Sequence, residues 1–129
     1  MPRSGQAYGI IGTMILAGKD LEGYVISDHV MRINPRDDAK IKPGYLVTAL
    51  SHPIFGRPVV KSLAYGSSIP HIEVADLATL EIVRLNPAEE DAIADIAEEA
   101  AKARAAADLP ERDIAQDAGA IIERFIAGS

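Results

Sequence analysis

Cysteine is absent from the 129 residues. That excludes a disulfide framework, a thiolate metal site and a redox thiol, and a reducing cytoplasm is the expected location. Long hydrophobic runs are missing as well: no apolar stretch approaches the roughly 20 residues that a membrane-crossing helix needs. The opening Met1-Pro2-Arg3-Ser4-Gly5-Gln6 lacks the charged-then-apolar layout of a secretion signal, so no membrane association is expected. Catalytic motifs are equally scarce. Five residues separate Gly12 from Gly18 where a phosphate loop needs four, Lys19 is followed by Asp20 instead of Ser or Thr, and no GxGxxG occurs. These glycines read as turn and strand-edge positions. His29, His52 and His71 show no HExxH or paired spacing, and Asp28 and His29, adjacent on a strand, would point to opposite faces. Gly66-Ser67-Ser68 does not make the GxSxG elbow. The residues therefore predict no catalytic group, no metal ligands and no cofactor: not an enzyme.

What the chain does have is an uneven charge. The net charge is −6, which argues against a stand-alone nucleic-acid binder, because Lys and Arg supply most non-specific affinity for phosphates. Residues 1–72 nevertheless carry eight Lys/Arg against five Asp/Glu, or +3, while residues 73–129 carry five against fourteen, or −9. Two surfaces with different partners are expected from such a split. Basic residues in the first part stand near aromatics, with Arg3 near Tyr8, Arg57 near Phe55 and Lys61 near Tyr65. From composition alone this modest excess reads as ordinary surface charge.

Hydrophobic patterning predicts an α+β fold: a small mixed or antiparallel sheet with short helices, followed by a C-terminal α-helical hairpin. Residues 8–17 (YGIIGTMILA), 24–33 (YVISDHVMRI) and 81–85 (EIVRL) read as strands, with glycine-bounded or charged turns after the first two. Tyr45, Leu46, Ala49 and Leu50 share a helical face ending near His52-Pro53; a second short helix starts at Arg57-Pro58 and ends by Gly66; one helical turn falls within 74–80. Asn86 has the marks of a helix N-cap, with Pro87 at the first helical position and Glu89 three residues on. The acidic Glu89-Glu90-Asp91 is then a favourable helix start, not a metal cluster. Residues 88–107 contain neither Gly nor Pro, and about 20 residues give a rod of roughly 30 Å. Ile93, Ile96, Ala100, Ala103 and Ala107 alternate at three- and four-residue spacing, as a helix-pairing seam does. Asp108-Leu109-Pro110 is expected to break the rod, with Ile114, Ala118, Ile121, Ile122 and Phe125 forming the apolar face of a last helix. The implied units are residues 1–86, an α/β domain, and residues 87–129, an acidic hairpin of helices 87–107 and 110–127.

Three stretches in order carry a family resemblance. Arg3-Ser4-Gly5-Gln6 resembles the RSG-type loop inside the target-recognition domains of type I restriction-modification specificity subunits. Residues 26–35 (ISDHVMRINP) are similar to the family's ISDHxxRIxP strand. Residues 43–51 (PGYLVTALS), 65–72 (YGSSIPHI), Asp76-Leu77 and Glu81-Ile82 resemble its following succession. Together they span residues 3–86. The resemblance implies sequence-specific recognition of double-stranded DNA without catalysis, with methyltransferase and restriction subunits as partners. Arg3, Ser4, Gln6, Ser67, Ser68 and His71 would face DNA, and Arg57 and Lys61 would hold phosphates. A long spacer helix follows such domains and packs on its counterpart, which places Ile93, Ile96, Ala100, Ile114, Ile121 and Phe125 on an interaction helix.

The family's domain has further strands before the RSG-type loop, where this chain begins. The expectation is a truncated, partner-dependent form, with unpaired edges covered by a second copy or a companion chain. The alternative is a protein-interaction module that uses the acidic helical hairpin and has no DNA binding of its own.

Overall fold

A computed structural model describes residues 1–6, 8–66 and 68–128. Among the described residues there are four α-helices, α1 Pro43–Ser51, α2 Arg57–Ser62, α3 Val74–Ala78 and α4 Pro87–Ala127, with 3-10 turns at Lys19–Leu21 and Asp37–Ala39. The expected sheet does not form. Among the described residues, β pairing is limited to the isolated antiparallel bridges Pro2↔Val30, Ser4↔His71 and Tyr65↔His71. Residues 8–12 make turns, closed by Gly9 N–H to the Gln6 carbonyl and by Thr13 N–H to the Ile10 carbonyl. Gly12 enters the left-handed region at φ 72°, which ends any strand there. Residues 24–26 and 81–85 are irregular and have no ladder partner, and at Pro2 and Pro70 the backbone has no N–H to give. Strand-like alternation was present in these segments; neighbours in register were not.

The body instead condenses around side chains. Ile11, Val60 and Ile72 are fully buried, joined by Met1, Met31 and Leu50 and bordered by Met14, Leu46, Leu63 and Leu77. Backbone hydrogen bonds stitch the coil segments across this core: Met31 N–H to the Met1 carbonyl at 2.7 Å, Gly12 N–H to Pro2 at 3.0 Å, and Ile72 N–H to Arg3 at 2.7 Å. Thus the backbone polar groups find partners even without a sheet.

The second correction concerns the tail. α4 runs unbroken through Pro110 for 41 residues, about 61 Å long, so there is no hairpin. Its start follows the residue types: Asn86 Oδ1 accepts the Glu89 N–H at 3.0 Å, and Pro87 needs no donor in the first turn. Pro110 removes one internal hydrogen bond and crowds the preceding turn, a cost of about 3 kcal/mol. Two arginines bracket it. Arg104 donates to the buried Asp20 carboxylate at 3.2 Å and to the Leu16 carbonyl at 2.8 Å. Arg112 donates to the Asp20 carbonyl at 2.6 Å and sits 5.1 Å over the Tyr24 ring. Contacts to the body on both sides of the proline oppose a break there.

The face of α4 that packs on the body is also not the expected seam. Glu90, Ala94, Ala101 and Ala105 are buried, whereas Ile96, Ala100, Ala103 and Ala107 face outward. Small side chains let the backbones approach. A β-carbon on Gly44 of α1 would lie 2.5 Å from the Ala94 carbonyl oxygen, and one on Gly18 would lie 3.6 Å from Ala105 Cβ. Polar groups fasten the edges: Lys42 Nζ reaches Asp95 at 2.9 Å and Asp91 at 3.3 Å, and the buried Tyr45 donates to the Val83 carbonyl at 2.7 Å. Arg84 makes a two-pronged pair with Glu90 at 2.7 and 2.8 Å, while Leu85 N–H adds a third bond at 2.9 Å. The Arg84 guanidinium, helped by that N–H, holds the Glu90 carboxyl below its ordinary value.

Two outcomes follow from this packing. Gly44→Ala should gain up to about 1 kcal/mol of helix propensity yet lose roughly 1–3 kcal/mol to overpacking, lowering the urea midpoint at unchanged slope. Because the Glu90 value is lowered by folding, its stabilising contribution is complete above the ordinary carboxylate range and disappears as pH falls through the lowered value. The urea-midpoint difference between wild type and Glu90→Gln should therefore be present near pH ~7 and shrink toward pH ~3.

Candidate nucleic-acid interface

Three segments distant in sequence meet at one surface. Arg3 N–H donates to the His29 carbonyl at 2.9 Å, and Gly5 N–H donates to Pro70 at 3.0 Å. Ser4 bridges His71, and its hydroxyl lies 2.7 Å from His29 Nδ1. Tyr65 and His71 exchange backbone bonds at 3.0 and 2.9 Å, closing the loop between them, with Gly66 at φ 117° where the chain turns back. The RSG-type loop, the ISDH stretch and the YGSSIPHI stretch are therefore neighbours in space.

Side chains converge on Glu73. Its Oε1 lies 3.2 Å from His71 Nε2 and accepts the Tyr65 hydroxyl at 3.3 Å, while Oε2 lies 3.7 Å from an Arg3 guanidinium nitrogen. The Tyr65 ring tilts against His71 with centroids 4.7 Å apart. Burial, and then the Glu73 charge, hold the Tyr65 phenol above its ordinary value, so it remains a neutral donor. Arg3 and His71 are half-buried; Tyr65 and His29 are exposed.

Of the residues expected to face DNA, Arg3, Ser4 and His71 come together here. Gln6 and Ser68 are exposed on the adjoining turns, and Ser67 lies outside the described residues. Arg57 and Lys61 are placed by another element, one turn apart on α2, with Arg57 reaching the Thr13 hydroxyl at 3.4 Å. Tyr65 and Glu73 were missed as site residues. His71 and Glu73, two apart on an extended segment, share a face by the period of 2, which signals their pairing; the approach of Arg3 across about 70 residues of chain has no local signal. Ser4, His29 and Asp28 are in series, but His29 Nε2 is 3.9 Å from an almost fully exposed Asp28 carboxylate. That geometry does not orient a general base.

Two apolar surfaces complete the description. A cleft of about 470 Å³ opens between residues 14–17, 24–26, 30–34 and α1, with Met14, Leu21, Ile33 and Leu46 among its walls. On α4, residues 113–127 are exposed apart from half-buried Gly119, leaving Ile114 69%, Ile121 60% and Phe125 79% accessible. With 3.6 residues per turn, Ile96, Ile114, Ile121 and Phe125 line the side of α4 opposite Ala94, Ala101 and Ala105, while Ile93 and Ala100 flank it. Among the described residues no helix is long and apolar enough to cross a membrane. No protein family, curated protein or solved structure matches the chain.

Proposed function

We propose that this chain is a non-catalytic DNA sequence-recognition module of a restriction-modification system, similar to the target-recognition domain of type I specificity subunits and acting in the cytoplasm with methyltransferase and restriction subunits. One observation carries the reading: the three motif segments that resemble the family, far apart in sequence, share a single surface through Arg3, Ser4, His29 and His71. That surface presents cationic, hydroxyl and imidazole groups of the kind that contact phosphates and base edges. Arg57 and Lys61 on α2 supply further phosphate contacts.

The apolar stripe on α4 favours a second role for the tail. Helical stretches of about 15 residues without tertiary support are marginal in water, and the segment after Arg112 presents Ile114, Ile121 and Phe125 to solvent. A second copy or a companion subunit's helix covers this stripe in the proposed assembly. Residues 87–101 hold six acidic groups and no base, whereas residues 102–127 hold four bases (Lys102, Arg104, Arg112 and Arg124) against five acids, so antiparallel pairing sets the strongly acidic half against a nearly balanced one and lessens like-charge repulsion. A protein-interaction module without DNA binding is the competing reading, with the single helix α4 as its docking element.

Fluorescence anisotropy on duplex DNA, with and without a methyltransferase subunit, separates the two. With Arg3, Arg57 and Lys61 each neutralising one phosphate, affinity should fall roughly 40-fold between about 50 and 200 mM salt. Salt-independent or absent binding under both conditions would remove the DNA reading. In sedimentation, the wild-type chain should self-associate or co-sediment with its companion, and Ile121→Asp with Phe125→Asp should abolish this while leaving the fold intact by circular dichroism. A compact wild-type monomer at high concentration, alone and with the subunit, counts against the α4 interface.

A further inference from the structure

The convergence of Arg3, His71 and Tyr65 on one carboxylate has the donor set of an oxyanion site. A planar guanidinium from the N-terminal segment and an imidazole and a phenol hydroxyl from the two bridged ends of the 65–71 loop meet around the two Glu73 oxygens, at 3.7, 3.2 and 3.3 Å. Such donors suit a phosphate oxygen as well as a carboxylate. Ser4 extends the same edge, since it is bridged to His71 and its hydroxyl lies against His29. Asp76, on the first turn of α3, adds negative charge toward Tyr65, and Asp28 lies beyond His29. The residue that fills the site is held by a short extended segment just before α3, and it is half-buried, so it can leave without unpacking Ile72.

We propose that Arg3, His71 and Tyr65 form a phosphate-binding site that Glu73 occupies as a built-in stand-in, and that a phosphate group binds by displacing the Glu73 carboxylate. The proposal rests on the DNA reading for its DNA arm and deepens it by naming the groups that would hold a phosphate beside Arg3. The same donors accept free phosphate, so the site stands apart from DNA binding in its test. Glu73 then sets affinity: it satisfies the donors in the free protein and must be expelled by the ligand, which weakens binding to every sequence equally.

The test compares wild type with Glu73→Gln, an isosteric change that keeps one acceptor oxygen and removes the charge. Inorganic phosphate and duplex DNA of random and candidate target sequence are the probes, followed by NMR and anisotropy. Glu73→Gln should bind inorganic phosphate roughly tenfold more tightly than wild type, from loss of one like-charge neighbour, with shifts centred on Arg3, Tyr65 and His71. The gain should extend to all duplexes alike, and adding Arg3→Ala should cancel it. If phosphate binds more tightly but no duplex does with either protein, the site stands with free phosphate as its ligand and the DNA reading falls. Equal phosphate affinity in wild type and Glu73→Gln, or shifts centred elsewhere, overturns the site. Selective loss of one target sequence in Glu73→Gln overturns it too, since Glu73 would then be accepting from a base edge. A matching thermal transition in the two proteins establishes that the comparison is between folded states.

Discussion

The close approach of α4 to the body is the constraint from which the rest of the architecture follows. Ala94, Ala101 and Ala105 present almost no side chain, and Gly44 and Gly18 present none, so α1 and the 3-10 turn at Lys19–Leu21 lie directly on the helix backbone. Little apolar area is buried by such small residues, and the polar fastenings at the margin carry correspondingly more: Lys42 with Asp91 and Asp95, Arg84 with Glu90, Arg104 with Asp20. The first two pairs lie toward the start of α4, and the third lies just before Pro110. With Arg112 beyond it, the helix is held across the one position where its chemistry favours a break.

Because α4 supplies one continuous wall, the body can do without a sheet. Its segments are ordered by single bridges and scattered backbone bonds around Ile11, Val60 and Ile72. This arrangement has a functional consequence: bonds between residues 3–5, 29 and 70–72 draw three polar stretches to one surface. A regular ladder would have sent neighbouring side chains, such as Arg3 and Ser4, to opposite faces. Here the Arg3, Tyr65, His71 and Glu73 side chains gather on one.

The two candidate surfaces thereby differ in character. At one, charge is locally balanced by an internal carboxylate, and any anionic ligand competes with it. At the other, α4 extends past the body with its isoleucines and Phe125 accessible, a surface whose natural complement is another helix.

Local chemistry was legible wherever a signal acts within a few residues. The Asn86-Pro87-Glu89 start and the proline-led α1 and α2 follow from residue types and helical spacing, because caps and first turns are set within about one or two turns. Three things needed tertiary structure. Strand-like alternation at residues 24–33 says nothing of whether a partner lies in register, and among the described residues the pairing there stops at the single bridge Pro2↔Val30. Pro110 carries a helix-breaking tendency whose outcome turned on Arg104 and Arg112 reaching residues some 90 positions away. The face of α4 that is buried was decided by Gly44 and Gly18, since only the smallest residues on both sides let the backbones meet, and alanine's weak apolarity leaves no mark that distinguishes that face in the sequence.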